Sequence, residues 1–259
     1  MLFTCGALFA PLLTSQDPYD LTQIYLHNSF QPPCPEFWLG TDEMGRDIYA
    51  AILYGLRTSL YVGLLSTLLS MVLGLLIGLL SGYFGGWIDR IVMHLADIQL
   101  SFPAILIALI VMALWGEGVN RIIFAITLVS WVYYARTVRG IVLQEKEKEY
   151  IASARALGMR HHMILFGELL PNVLSPVIVL ATVRIAYAIV LEATLSFLGV
   201  GVPVTEPSLG TLISNGYSVL FSGYWWTSVF PGMTLMLLII AINLIGDSMR
   251  KQLDPSEAF

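Results

Sequence analysis

Arg184 and Glu192 are charged residues inside an otherwise apolar stretch running from about Val173 to Gly199. A charge at mid-bilayer costs about 2.5–3.5 kcal/mol on insertion scales, so such residues mark a partner or an aqueous cavity. Eight helical positions separate them by about 80° and about 12 Å, too far to pair directly. Arg184 is a candidate for a polar pathway or for contact with a second membrane subunit. The alternative is a structural contact with a polar group on another span. Asp42, Arg46 and Asp47 cluster in a polar segment, but no nucleophile or metal cluster lies nearby to support hydrolysis. They are expected to form a turn bent at Gly45, with Asp42 capping a helix that begins near Asp47. His161 and His162 point about 100° apart on a helix, a poor metal pair, and are expected only to decorate the loop that holds them. His27 and His94 are isolated, and Cys5 and Cys34 imply no disulfide framework. None of the three lysines follows a glycine, so no phosphate-cradling loop exists in this sequence. No catalytic, cofactor-binding or metal-ligating residues are assigned, and the chain is not expected to be an enzyme.

The elements that carry these residues are membrane helices. Hydrophobic residues make up 57% of the 259 and charged residues 12%, about half the share usual for globular proteins. A bilayer crossing needs about 20 apolar residues. Uncharged runs lie at Thr58–Ile88, between Asp97 and Glu117, and between Arg121 and Arg136, extendable through Val138 if Arg136 snorkels. Further runs span about Val173–Gly199 and Ser228–Gly246. Residues 1–14 are expected to be a partial first transmembrane helix whose start is missing; the alternative is an interfacial segment. The fold class is therefore all-α: a polytopic membrane helix bundle of five to six transmembrane helices in contact with the lipid bilayer. Gly74-x-x-x-Gly78 permits close helix packing, with lipid-facing glycine as the plainer reading.

Of the 13 basic residues, Arg90, Arg136, Arg139, Lys146, Lys148, Arg155, Arg160, Arg250 and Lys251 fall on one side of such a bundle. That majority makes the side cytoplasmic, with both termini inside. The expected organisation is a periplasmic segment at 15–57, a transmembrane core at 58–250 with a cytoplasmic loop at 139–172, and a cytoplasmic tail at 251–259. Tyr217, Tyr224, Trp225 and Trp226 fit an aromatic belt at the outer interface. No basic block suggests nucleic acid.

The loop is the unusual element. Residues 144–172 read QEKEKEYIASARALGMRHHMILFGELLPN. Ile151, Ala154 and Leu157 form a short apolar stripe, and Gly158 is expected to end that helix in a left-handed cap. A second amphipathic piece places Met163, Phe166 and Leu170 on one side, and Pro171 is expected to close it before the next span. The pair reads as a helix–turn–helix beneath the membrane. It serves either as a docking element for a soluble partner or as an interfacial helix lying on lipid.

This segment resembles the cytoplasmic loop signature of ABC-transporter importer permeases: Glu-Ala-Ala, three residues, Gly, nine residues, Ile-x-Leu-Pro. Counted from Gly158, the first three positions fall on Ala152, Ser153 and Ala154, and the last two on Leu170 and Pro171. The spacing is kept, while Ala152, Ser153 and Glu168 depart from the pattern. Three more stretches are similar to dipeptide, oligopeptide and nickel permeases of the C-type: WLGTDEMGRDIYAAILYGLRTSL (38–60), EATLSFLGVGVP (192–203) and GDSMRKQLDP (246–255). Together they cover most of residues 38–255.

The resemblance implies a type I ABC importer permease fold in a bacterial inner (cytoplasmic) membrane, forming half of a translocation pathway for peptides. The same machinery importing nickel or another small solute is the alternative. It implies a heterodimer with a second homologous permease, two ATPase subunits and a periplasmic solute-binding protein. It also implies that Ala152, Ser153, Ala154, Leu157, Gly158, Met159, Leu170 and Pro171 belong to the ATPase-coupling loop. Arg184 and Glu192 become candidates for the pathway or its outer gate. An ion-driven secondary transporter is the rival, but it calls for intramembrane carboxylates and commonly an inverted repeat. Only Glu192 and no repeat are seen. An intramembrane hydrolase lacks a catalytic constellation.

Overall fold

The computed structural model describes residue 6 and residues 10–14, 17–18, 25–203 and 206–253. Of the segment 1–14 expected as a partial helix, the described part includes the single turn Ala10–Leu13. The rest of that segment, and residues 254–259 of the expected tail, lie outside the described residues. The main helices among the described residues are α1 (Ile48–Phe84), α2 (Gly86–Leu100), α3 (Ala104–Trp115), α4 (Val119–Glu145), α5 (Glu149–Ala156), α6 (His161–Phe197), α7 (Leu209–Val219) and α8 (Trp226–Leu253). The β-type pairing found among the described residues is an isolated bridge between Thr41 and Asp47.

Four helices, α1, α4, α6 and α8, are long and apolar enough to cross a bilayer. The remaining expected span, between Asp97 and Glu117, is instead the bent pair α2 and α3, whose axes differ by 91°. The break falls at Ser101-Phe102-Pro103. Proline cannot continue the helical hydrogen-bond ladder and disfavours helical backbone at Phe102. The Ser101 hydroxyl turns back to donate to the Asp97 carbonyl at 2.8 Å. The pair still joins the two ends of the bundle. At one end Ser81 donates to Asp89, and at the other the Gly118 amide donates to the Gly201 carbonyl.

α1 starts where expected, next to Asp47, but its cap is a different residue. The helix begins at Ile48, well before the uncharged run at Thr58, because Ile48, Ala51 and Ile52 are already buried. Asp47, not Asp42, is its N-cap, accepting from the Tyr49 amide at 3.1 Å. Asp42 is too far upstream to reach a free first-turn amide. It closes the preceding turn by accepting from the Met44 and Arg46 amides and from Arg46 Nε at 2.7 Å.

The seam between α1 and α4 organises the bundle. Gly74, Gly78 and Gly82 of α1 lie against the backbone or Cβ atoms of α4. A Cβ at these positions would come within 2.5 Å of the Trp131 carbonyl oxygen, 2.6 Å of the Ala135 carbonyl oxygen and 2.9 Å of Val142 Cβ. The glycine motif therefore faces protein within this chain rather than lipid, and the two helices run parallel. α6 runs antiparallel to them, with His161 beside Tyr83 and Glu192 beside Ser59. Large apolar side chains on the outer faces, such as Leu64, Leu68 and Leu76 of α1 and Met236, Ile240 and Leu244 of α8, stay exposed. A patch of that extent needs lipid or another apolar surface against it. The expected aromatic belt is split. Tyr217 and Trp225 point outward, but Trp226 is buried and donates to the Thr41 carbonyl, and Tyr224 stacks on Phe30 at 4.1 Å.

Candidate functional site

The loop expected to couple the membrane to a partner sits at the end of the bundle where α1 and α4 finish. α5 stops as its sequence predicts. Gly158 has φ +77°, its amide donates to the Arg155 carbonyl at 3.0 Å, and the Met159 amide donates to the Ala154 carbonyl at 3.1 Å. This double bond pattern satisfies carbonyls that a helix end otherwise leaves free, and the left-handed position suits glycine. Ile151 and Ala154 are buried against Ile164, Leu165 and Leu169. Leu157, the third member of the expected stripe, is 84% exposed. It follows the last helical residue, so its side chain leaves the stripe.

The second piece departs further from expectation. Residues Ile164–Leu169 are π-helical, and the Leu170 amide donates to the Leu165 carbonyl, five residues back. The wider turn shifts the buried face to Ile164, Leu165 and Leu169, while Met163 and Phe166 are about half exposed. Pro171 does not close this piece. It lies in the first turn of the α-helical part of α6, which continues to Phe197. The π turn accommodates it, since a proline ring otherwise clashes with the carbonyl four residues before it. Asn172 fills part of the broken ladder by donating to the Glu168 carbonyl at 2.8 Å. Of the sequence-assigned residues, Ala152, Ser153, Leu157, Gly158 and Pro171 are therefore exposed, Ala154 is buried, and Met159 and Leu170 are half-buried.

Tethers that the sequence reading missed hold this turn to the bundle. Tyr83 at the end of α1 is hydrogen-bonded through its hydroxyl to His161 Nδ1 at 2.8 Å, and the Arg155 guanidinium lies 5.3 Å from the Tyr83 ring centroid. His161 is thus a structural link, not a decoration. Lys146 Nζ donates to the Gly82 carbonyl at 3.0 Å, and Asp89 accepts from both Ser81 and Arg139. Tyr150 donates to Glu145 at 2.9 Å; burial first, and then that carboxylate, push its phenol up to about 12. A tyrosine two residues before a glycine pair, Tyr83-Phe84-Gly85-Gly86, was the available signal, but its partner lies far along the chain.

The second site is at the opposite end. Glu192 is fully buried, and its two carboxylate oxygens accept from Ser59 and Ser196, each at 2.8 Å. Ser208, the N-cap of α7, lies near the same carboxylate. Ser196 Oγ also accepts from the Val202 amide at 3.3 Å. Close packing completes the cluster. A Cβ on Gly201 would lie 2.5 Å from Ser196 Cα, and one on Gly210 would lie 2.7 Å from Ala193 Cα. The cluster therefore joins α1, α6 and α7 around one carboxyl group. Arg184 lies elsewhere, its guanidinium carbon 3.4 Å from the Tyr133 ring centroid and 5.4 Å from that of Tyr187. As the spacing predicts, the two charges do not meet.

Residues 74–258, more than half the chain, match the family of binding-protein-dependent transport system inner membrane components. The chain belongs to that family. It is a multi-pass permease subunit of a bacterial ABC importer in the inner membrane. It is 40% identical to the dipeptide transport system permease protein DppC of Alkalihalophilus pseudofirmus, over 98% of this chain and 82% of that protein. It is 36% identical to the oligopeptide transport system permease protein OppC of Bacillus subtilis, over 98% and 82%. It is also 38% identical to the glutathione transport system permease protein GsiD of Pectobacterium atrosepticum, over 92% and 79%. A chain of the inward-facing MetNI methionine ABC transporter shares the fold, with TM-score 0.64 and 21% identity over 79% of this permease and 96% of that chain.

Proposed function

We propose that this permease forms one half of a peptide translocation pathway. The other half is a second homologous permease, giving a heterodimer. Two ATPase subunits drive it from the cytoplasm, and a periplasmic solute-binding protein delivers the peptide. The named substrates of its relatives, dipeptides, oligopeptides and glutathione, support the substrate class. In this reading both termini are cytoplasmic, residues 1–14 belong to a first membrane helix, 15–57 face the periplasm, 139–172 form the coupling loop and 251–259 the tail.

The carrying observation is the form of the turn after α5. It offers a small apolar rim, Leu157, Met163 and Phe166, on a base tied to the ends of α1, α4 and α6. An exposed leucine at the tip of a rigid turn fits a groove on a partner, and the tethers pass the partner's movement to three crossing helices. Substrate passage then follows from alternation between an outward-open and an inward-open state. Glu192 holds the outer ends of α1, α6 and α7 together and acts as a pin of the outer gate.

The test is reconstitution with the co-expressed second permease, ATPases and binding protein. The expected result is ATP-dependent dipeptide uptake that needs every component, and crosslinking of Leu157→Cys to an ATPase subunit. Uptake by this chain alone without ATP overturns the proposal. So does an active complex in which position 157 never crosslinks to an ATPase.

A further inference from the structure

The geometry points to Arg184 as a binding site for the free carboxylate of the transported peptide, a role that rests on the peptide-import reading above. Arg184 lies within α6, about 20 Å from the Phe197 end at 1.5 Å per residue. No hydrogen bond or ion pair joins it to any of the described residues. A guanidinium carries five N–H donors and stays charged. The acids that could neutralise it are engaged elsewhere. Glu192 is held by serine hydroxyls, Asp97 pairs with Arg136 and Asp89 with Arg139. What Arg184 does have is aromatic support. Tyr133 lies under its face at 3.4 Å, and Tyr187 flanks it at 5.4 Å. Stacking covers the face of the group and leaves its hydrogen-bonding edge free, the edge that takes a carboxylate through two parallel N–H bonds.

A second observation points the same way. The hydroxyl of Tyr134, next to Tyr133 on α4, is buried with no hydrogen-bond partner among the described residues. A buried phenol without an acceptor is an unmet donor. Two kinds of donor without acceptors therefore sit in one region of the bundle. Arg184 also adjoins an exposed strip on α6, Val183, Val190 and Phe197, which this chain leaves uncovered. An anion carried along that strip passes the guanidinium edge. Dipeptides, oligopeptides and glutathione share a free carboxylate, whatever their side chains. A site that reads the carboxylate alone binds all of them without selecting among residues.

The test uses the whole transporter, purified with its second permease and ATPases but without the binding protein, so that selection upstream does not mask the result. Saturation-transfer NMR compares a dipeptide with its C-terminal amide. The expected outcome is binding of the acid, weaker binding of the amide, and about a tenfold loss of acid binding in Arg184→Gln, as for removal of a charge-assisted bidentate pair. Arg184→Lys keeps the charge but not the fork and recovers part of that loss. Equal binding of acid and amide by the wild-type complex overturns the assignment. So does acid binding unchanged in Arg184→Gln. If Arg184→Gln and Arg184→Lys both fail to assemble with the second permease, Arg184 is a counter-ion to that subunit and the assignment also falls. Wild-type ATP-driven peptide uptake, measured in parallel, separates this failure from failure of the import reading itself.

Discussion

Glu192 occupies a position where an unmet carboxyl group is expensive, and two serines meet it. Ser59 comes from α1 and Ser196 lies one turn along α6, while Ser208, the cap of α7, lies close by. The arrangement explains why a carboxyl group persists among apolar neighbours. It also explains the small residues that follow, since Gly201 and Gly210 let the chain close over the carboxylate. Replacing Glu192 with leucine leaves the hydroxyls without their acceptor, at about 1–3 kcal/mol for each buried group left unsatisfied. Glu192→Leu is therefore expected to lower the melting temperature of the purified complex clearly. Glu192→Gln keeps an acceptor oxygen and a similar shape, so it is expected to lose much less. Equal melting temperatures for Glu192→Leu and the wild type would show that the cluster does not hold the outer ends together.

At the scale of elements, two joints differ in kind. The α1–α4 seam is rigid because glycines bring backbone against backbone along its length. The joint between α1 and the turn after α5 combines a shared apolar cluster, which includes Leu79 and Tyr83, with polar links, chiefly Tyr83–His161 and Lys146 to the Gly82 carbonyl. The polar links add to the transmission of force only while their bonds hold. Removing the Tyr83 hydroxyl forfeits a bond of about 1 kcal/mol, small against the stability of the whole helix pair. Tyr83→Phe is thus expected to assemble normally but to hydrolyse more ATP per peptide imported. A simultaneous assay of uptake and phosphate release checks this. An unchanged ratio assigns the tether to stability alone.

At the scale of the molecule, the four long apolar helices among the described residues, with the bent pair broken at Pro103, place the turn after α5 and the Glu192 cluster at opposite ends. The proposed topology puts Trp38, 69% exposed, outside and Leu157, 84% exposed, inside. In a variant lacking both native cysteines, Trp38→Cys is expected to react with a membrane-impermeant maleimide on intact cells. Leu157→Cys is expected to react only after lysis. The reverse pattern inverts the topology and removes the cytoplasmic docking site.

The sequence by itself determined what depends on near neighbours. The candidate crossings follow from the lengths of apolar runs, and the Gly158 bend from a residue that alone tolerates that backbone cheaply. Spacing also made clear that Arg184 and Glu192 stay apart. Tertiary structure decided what depends on distant partners. Ser59 and Glu192 are 133 positions apart, and Tyr83 and His161 are 78 apart, so no local pattern links them. It also decided which apolar and glycine faces meet protein. Lipid and protein interior are equally apolar, so hydrophobicity cannot tell a lipid-facing glycine from one pressed against Ala135. The π turn before Pro171 was hidden for the same reason. Its winding answers to the packing of Ile164, Leu165 and Leu169 against the rest of the bundle, not to the residues of the turn alone.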